Sequence, residues 1–280
     1  MRSGLVALVV AAALVLAGCG ARHTQKELIV GSGPDAESTL LAQLYAAALR
    51  SYGTPARVEI APDPLAELDT GAVSVVPGLT GRLLQTFQPG ATAVSDEQVY
   101  RAMVAALPEG VAAGDYATAA EDKPALAVSE ATARMWGGRD LTVLAGHCGQ
   151  LEVGSVAGAR TPAVVGRCRL PAAREFPDDT ALFDALRAGQ VNAGWTTTAD
   201  PDIPADLVVL ADRKPRLVRA ENAVPLYRRN ELTERQVLAI NEVAGVLDTA
   251  ALVDMRRRVA AGGDPRSVAE AWLAEHPLGR

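Results

Sequence analysis

The chain has 280 residues, 49% of them hydrophobic, enough to bury one large core or two smaller ones. Its 27 basic and 33 acidic residues are interspersed and leave a formal charge of −6, so no basic patch points to nucleic acid. Beyond the extreme N-terminus, no apolar run is long enough for a membrane helix.

The first twenty residues read as a secretion signal. Arg2 supplies a positive start, and residues 5–16 form a run of twelve Leu, Val and Ala. That run falls short of the ~20 residues a membrane-spanning helix requires. It leads into Leu16-Ala17-Gly18-Cys19, which resembles the lipobox of bacterial lipoproteins. The resemblance implies cleavage after residue 18, acylation of Cys19 and attachment to the outer face of the cell membrane. Residues 19–26 are polar and read as a tether.

The body opens with alternating strands and helices. Residues 28–30 predict a short buried strand, followed by a turn at Gly31-Ser32-Gly33-Pro34-Asp35 and a helix over 36–50 with Asp35 as N-cap. Leu40, Leu41, Leu44, Tyr45, Ala48 and Leu49 share one helical face. Strands are predicted at 57–61 and 72–76, the latter ended by Pro77-Gly78. This βαβ order implies a parallel sheet. Ser95 with Gln98 reads as a capping box opening a further helix, and residues 111–124 as irregular. The middle of the chain repeats the alternation, with strands at 125–128, 151–155, 191–195 and 206–210 and a helix over 179–186 stopped by Gly189. The C-terminal part has a strand at 223–227 and is otherwise helical. Thr233 with Gln236 forms a second capping box, a further helix passes through Leu252, Met255 and Val259, and Asp264-Pro265 opens the last helix.

With Cys19 taken by lipid, Cys148 and Cys168 remain. Export permits a disulfide between them; the rival readings are two reduced thiols or a metal pair. Only His147 lies beside them, and two thiols with one His do not complete a zinc site.

Catalytic constellations are scarce. The chain has no Gly-x-Ser-x-Gly, no His-Glu-x-x-His and no phosphate-binding Gly-Lys-Ser/Thr loop. No activated nucleophile, metal site or cofactor motif stands out, so an enzyme is not expected. Four clusters remain: Gly31-Ser32-Gly33; Val76-Pro77-Gly78-Leu79-Thr80-Gly81; the run Trp195-Thr196-Thr197-Thr198-Ala199-Asp200; and Glu221-Asn222-Ala223-Val224-Pro225-Leu226. The first three follow strands, where ligands of open α/β sheets collect, though tight turns and half-exposed threonines have the same appearance.

In their order and spacing these segments resemble the substrate-binding lipoproteins of ABC importers of the glycine betaine/choline/carnitine type. The resemblance covers about 27–276 and rests on Ile29-Val30-Gly31-Ser32, Thr80-Gly81, the run Asp122-Lys123-Pro124-Ala125-Leu126-Ala127-Val128, the run Asp206-Leu207-Val208-Val209-Leu210, Glu221 to Leu226, and Asp264-Pro265 through Trp272-Leu273. It implies a two-lobed α/β fold of the type II periplasmic binding protein kind. Each lobe has a mostly parallel sheet flanked by helices, and two hinge crossings join them. Lobe one would comprise 27–120 and 216–280, lobe two 121–215, with crossings near 121–123 and 212–221. It also implies a monomer that closes on a small solute and hands it to a permease with its ATPase subunits.

The ligand set follows from the same resemblance. Ser32, Asp35, Thr80 and Gly81 would approach from lobe one. Trp195, Thr196, Thr197 and Thr198 would approach from lobe two, with Lys123 at the entry to that lobe and Asn222 by the hinge. Relatives cage a quaternary ammonium with aromatic rings through cation–π attraction. Here the pattern departs. Pro77-Gly78-Leu79-Thr80-Gly81 stands where relatives read Pro-Glu-Tyr-Thr-Gly, Asp35-Ala36-Glu37 keeps only the acid of Phe-Thr-Glu, and Pro124 replaces a Tyr. Trp195 is the best cage candidate left, with Tyr116 and Tyr227 weaker. The solute could therefore be another polar or aromatic molecule, and a non-transport sensor or assembly lipoprotein is the rival role.

Overall fold

Strand β1 (Leu28–Ser32) turns into helix α1 (Ala36–Ser51) at Asp35, whose carboxylate accepts the Ser38 backbone N–H at 2.9 Å and so closes the helix start. The computed structural model describes residues 27–279; the leader at 1–18, Cys19 and the tether at 19–26 lie outside the described residues. Next come β2 (Ala56–Ile60), α2 (Pro64–Thr70), β3 (Val75–Leu79), α3 (Thr80–Phe87), α4 (Asp96–Ala105) and β4 (Val111–Ala113). The chain then enters a second sheet through β5 (Pro124–Ser129), α5 (Glu130–Trp136), two 3-10 turns (Leu141–Gly146 and Cys148–Gln150) and β6 (Val153–Val156). A short hairpin of β7 (Val164–Val165) and β8 (Cys168–Arg169) precedes β9 (Arg174–Phe176), α6 (Asp179–Arg187), β10 (Ala193–Thr197) and β11 (Leu207–Val209). It returns with β12 (Ala223–Arg228) and ends in α7 (Glu234–Val246), α8 (Thr249–Ala260) and α9 (Pro265–Glu275).

The two large sheets have five strands each, in the orders β2-β1-β3-β12-β4 and β11-β5-β10-β6-β9. In each, four strands run one way and one runs against them: β12 in the first sheet, β5 in the second. Both reversed strands are the first element after a passage between sheets. The passages, residues 114–123 and 210–222, meet side by side. Glu121 and Asn222 form an antiparallel bridge, and the Asp122 N–H donates to the Glu221 carbonyl at 2.9 Å.

Each sheet is covered on both faces. The first lies between a core built on α1, α7, α8 and α9 and a second core built on Leu68, Leu84, Val99 and Met103. The second lies between a core holding Leu126, Trp136, Leu144 and Trp195 and another formed around Phe176, Leu182 and Phe183.

Strand β3 runs straight through Pro77-Gly78, which the sequence reads as its end. Pro77 stands opposite Pro225 of the antiparallel partner β12. Alternate pairs of an antiparallel ladder exchange no hydrogen bonds, so two prolines fit there without breaking it. Ser95 is the N-cap of α4, but its side chain makes no capping bond, whereas the Thr233–Gln236 box forms in both directions.

Candidate functional site

The joint between the sheets is built from charged and amide groups of the two passages. Asn222 is 1% exposed; its backbone N–H donates to the Thr80 hydroxyl at 3.0 Å, and its side-chain amide donates to the Ala117 carbonyl at 3.0 Å. Beside it, the Glu221 carboxylate accepts the Arg82 backbone N–H at 2.8 Å. The N-terminus of α3 is therefore filled by the chain's own carboxylate. Burial pushes the Glu221 carboxyl up to about 7, against the pull of Arg82.

Asp122 ties the sheets together. It is 1% exposed; one carboxylate oxygen accepts the Ala199 N–H at 2.9 Å beyond β10, and the other pairs with Arg256 of α8 at 2.8 Å. Glu37, in the first turn of α1, pairs with Arg82 at 2.8 Å and lies beside Asp122. Burial, then the Asp122 carboxylate beside it, push Glu37 up to about 8. Burial alone would raise Asp122 too, but Glu37 beside it, the Arg256 charge and the Ala199 N–H outweigh it and hold it low.

A third group faces a cavity of about 270 Å³ where both passages meet the second sheet. Lys123, 3% exposed, lies between Glu121 at 3.1 Å and Asp212 at 3.2 Å. Asp212 also accepts the backbone N–H groups of Leu217 at 2.8 Å and Val218 at 3.3 Å. Arg216 donates to the Asp212 carbonyl at 2.7 Å. The Thr198 hydroxyl donates to the Glu121 carbonyl at 2.9 Å and accepts the Lys123 N–H at 3.1 Å. Pro124, Leu141, Val209 and Leu210 give this cavity apolar walls. A second cavity, of about 500 Å³, lies between the C-terminal ends of α1 and α9 and touches neither passage.

The structure thus gathers Thr80, Gly81, Lys123, Thr197, Thr198 and Asn222 around the joint. Ser32 is 2% exposed, its hydroxyl donating to the Gly33 carbonyl at 2.7 Å, and Asp35 is occupied as the α1 cap. Thr196 donates its hydroxyl to the Asp200 carboxylate. The rings lie elsewhere. Trp195 is 4% exposed inside the second sheet's core, Tyr116 packs against Tyr100 with ring centroids 4.5 Å apart, and Tyr227 packs half-buried on the first core. Glu37, Asp122 and Asp212 lie in or beside segments the sequence singles out without being expected at the site, whereas Arg82, Arg216 and Arg256 join it unannounced. The run of three charged residues Glu121-Asp122-Lys123 was a usable signal; Arg256, 134 residues from Asp122, gave none. Cys148 and Cys168 form a disulfide with Cα atoms 5.5 Å apart, and among the described residues no His, Cys, Asp and Glu group could hold a metal.

Residues 170–275 match the family model described as the substrate binding domain of ABC-type glycine betaine transport system. The chain resembles substrate-binding proteins of this transporter type. No curated protein matches it at the sequence level. Among solved structures, a glycine betaine/carnitine/choline ABC transporter protein superposes with a TM-score of 0.71 at 16% identity, covering 89% of this chain and 98% of that one. Apo YehZ from Escherichia coli gives 0.69 at 18% identity, covering 90% and 99%. An ABC-transporter choline-binding protein in complex with choline gives 0.57 at 16% identity, covering 90% and 89%. At such identities the likeness is one of fold, the two-sheet arrangement described above.

Proposed function

We propose that the chain is the extracytoplasmic solute-binding component of an ABC importer, tethered to the membrane by a lipid on Cys19. The observation that carries this reading is the pair of five-stranded sheets between which the chain crosses twice, in two adjacent passages, in a chain whose residues 170–275 match a substrate-binding domain. Two bodies on such a joint can hinge, and a solute that touches both favours the closed form by its differential affinity. The closed, loaded monomer would then dock on a permease with its ATPase subunits. The transporter type of the matched segment makes glycine betaine and choline the first solutes to try.

Titration of the full-length protein in detergent with a broad panel of small nutrients, followed by X-ray scattering, tests the reading. One solute bound per chain, with a fall in radius of gyration, is the expected result. Silence across the panel would overturn it.

A further inference from the structure

We infer that the disulfide-stapled hairpin of β7 and β8 is a membrane-contact surface, its arginines meeting the phosphates of anionic lipid headgroups. The inference rests on the lipid attachment proposed above and is independent of which solute binds.

Charge is interspersed along the chain as a whole, but residues 153–174 break the pattern. They hold Arg160, Arg167, Arg169 and Arg174 and no acid, in a protein of formal charge −6. All four are exposed, and among the described residues none is paired with a carboxylate. Other exposed arginines sit on acids: Arg101 on Glu97 at 2.6 Å, Arg187 on Asp206 at 2.8 Å and Arg258 on Asp254 at 2.8 Å. Of the four, Arg174 has a ring beside it, its guanidinium 5.1 Å from the Phe176 centroid.

The hairpin turns these charges outward. Val165 pairs with Cys168, and Val164 with Arg169. Val165 and Cys168 are buried in the second sheet's core, where the bond to Cys148 holds them. Successive residues of a strand face opposite ways, so Val164 and Arg169 face solvent, Val164 being 45% exposed. A Cβ on Gly166, at the hairpin's tip, would stand 3.2 Å from Leu217. The turn after Asp212 therefore lies alongside and brings the exposed Arg213 and Lys214. The result is an exposed apolar side chain set among cations, on a frame that a covalent bond keeps ordered.

Such a face fits a phosphate-bearing bilayer better than an acidic protein. Planar guanidinium forks match phosphate oxygens, and an apolar side chain among cations suits the boundary between headgroups and acyl chains. Residues 19–26 span at most about 29 Å when extended, so a lipid on Cys19 keeps the body close to the leaflet and raises the effective concentration of a weak contact. Each basic side chain at an anionic leaflet strengthens that contact roughly fivefold.

Hydrogen exchange of the full-length, lipid-bearing protein tests the inference on two kinds of vesicle, phosphatidylcholine alone and equal parts phosphatidylcholine and phosphatidylglycerol. Amides of residues 163–170 are expected to exchange about 10-fold more slowly on the mixed vesicles, and raised salt should cancel the difference. The triple variant Arg160→Gln, Arg167→Gln, Arg169→Gln should lose the protection at an unchanged melting temperature, because none of the three side chains holds a protein carboxylate. Equal exchange on both vesicles, or a variant protected like the parent, would overturn the inference. So would protection by inorganic phosphate without vesicles, which means a free-ion site, or by poly-glutamate alone, which means an acidic protein partner. All four outcomes leave the importer reading to the solute titration. Flotation with the neutral vesicles reports the lipid anchor separately, and a chain that floats with neither vesicle removes both the anchor and the contact.

Discussion

Glu221 closes the first turn of α3 by accepting the Arg82 backbone N–H, and Gly81 is the residue that lets it come so near. A Cβ on Gly81 would stand 2.6 Å from the Ala220 carbonyl oxygen and 2.6 Å from Glu221 Oε1. The carbonyl is backbone and cannot swing aside. Gly81→Ala is therefore expected to cost about 1–3 kcal/mol through overpacking, and Glu221→Ala about 1–2 kcal/mol through loss of the cap. Urea denaturation midpoints check both. An unmoved midpoint for Gly81→Ala would mean that the passage is free to shift.

The acid pair at the joint makes stability depend on pH. Unfolded glutamates lose their protons near 4.5, whereas folded Glu37 holds its proton to about 8 and Glu221 to about 7. Between those limits the folded state binds more protons than the unfolded one, so stability falls as pH rises from 4.5 to 8. Glu37→Gln keeps a neutral side chain beside Asp122 and removes one titration. Its unfolding free energy should exceed the parent's at pH 8.5 and approach it at pH 4.5. Parallel profiles for the two proteins would show that Glu37 is not held protonated.

Trp195 reads from sequence as a platform for ligand, yet its ring lies in the core with Leu126, Trp136 and Leu144. Trp195→Ala should then act on stability, costing about 3–5 kcal/mol as a large-to-small core change. In a variant retaining only this tryptophan, solute should leave the emission blue-shifted and almost unmoved. A strong solute-dependent shift would return the ring to the site.

The Cys148–Cys168 bond closes a loop of 20 residues and anchors β8 to the 3-10 turn before β6. On the chain-entropy model such a loop contributes about 3 kcal/mol. Dithiothreitol, or the double Cys→Ser variant, should lower the melting temperature by several degrees. Equal melting with and without reductant would contradict it.

Much of the fold was legible because its signals are local. Asp35, Thr233 and Asp264 cap the helices their patterns announce, and the apolar runs of β1, β5 and β12 became central strands. Two kinds of information were not local. Pro77 reads as a strand breaker until its partner Pro225 is known, because only the register shows that no ladder bond is lost. The site likewise depends on partners far apart in sequence: Glu37 reaches Asp122, Glu221 reaches Arg82, and Arg256 crosses from α8. Helix starts at Asp35 and Thr80 resemble open anion cradles in sequence. Their N–H groups are met by side chains, one of which, Glu221, comes from the far end of the chain.

Asp122 is where this convergence is most consequential. Its two oxygens bind groups on opposite sides of the joint, the Ala199 N–H and the Arg256 guanidinium, so loss of the carboxylate strands a partner on each side. Breaking a buried pair of this kind by removing one member costs about 3–5 kcal/mol. Asp122→Ala should therefore destabilise the protein strongly. Asp122→Asn keeps an oxygen for Ala199 and lacks the charge for Arg256, and it should lose roughly half as much. The two effects separate in hydrogen exchange: Asp122→Asn should speed exchange in α8 around Arg256 while the Ala199 amide stays protected. If both sites opened together, the joint would be one cooperative unit and not two contacts sharing one carboxylate.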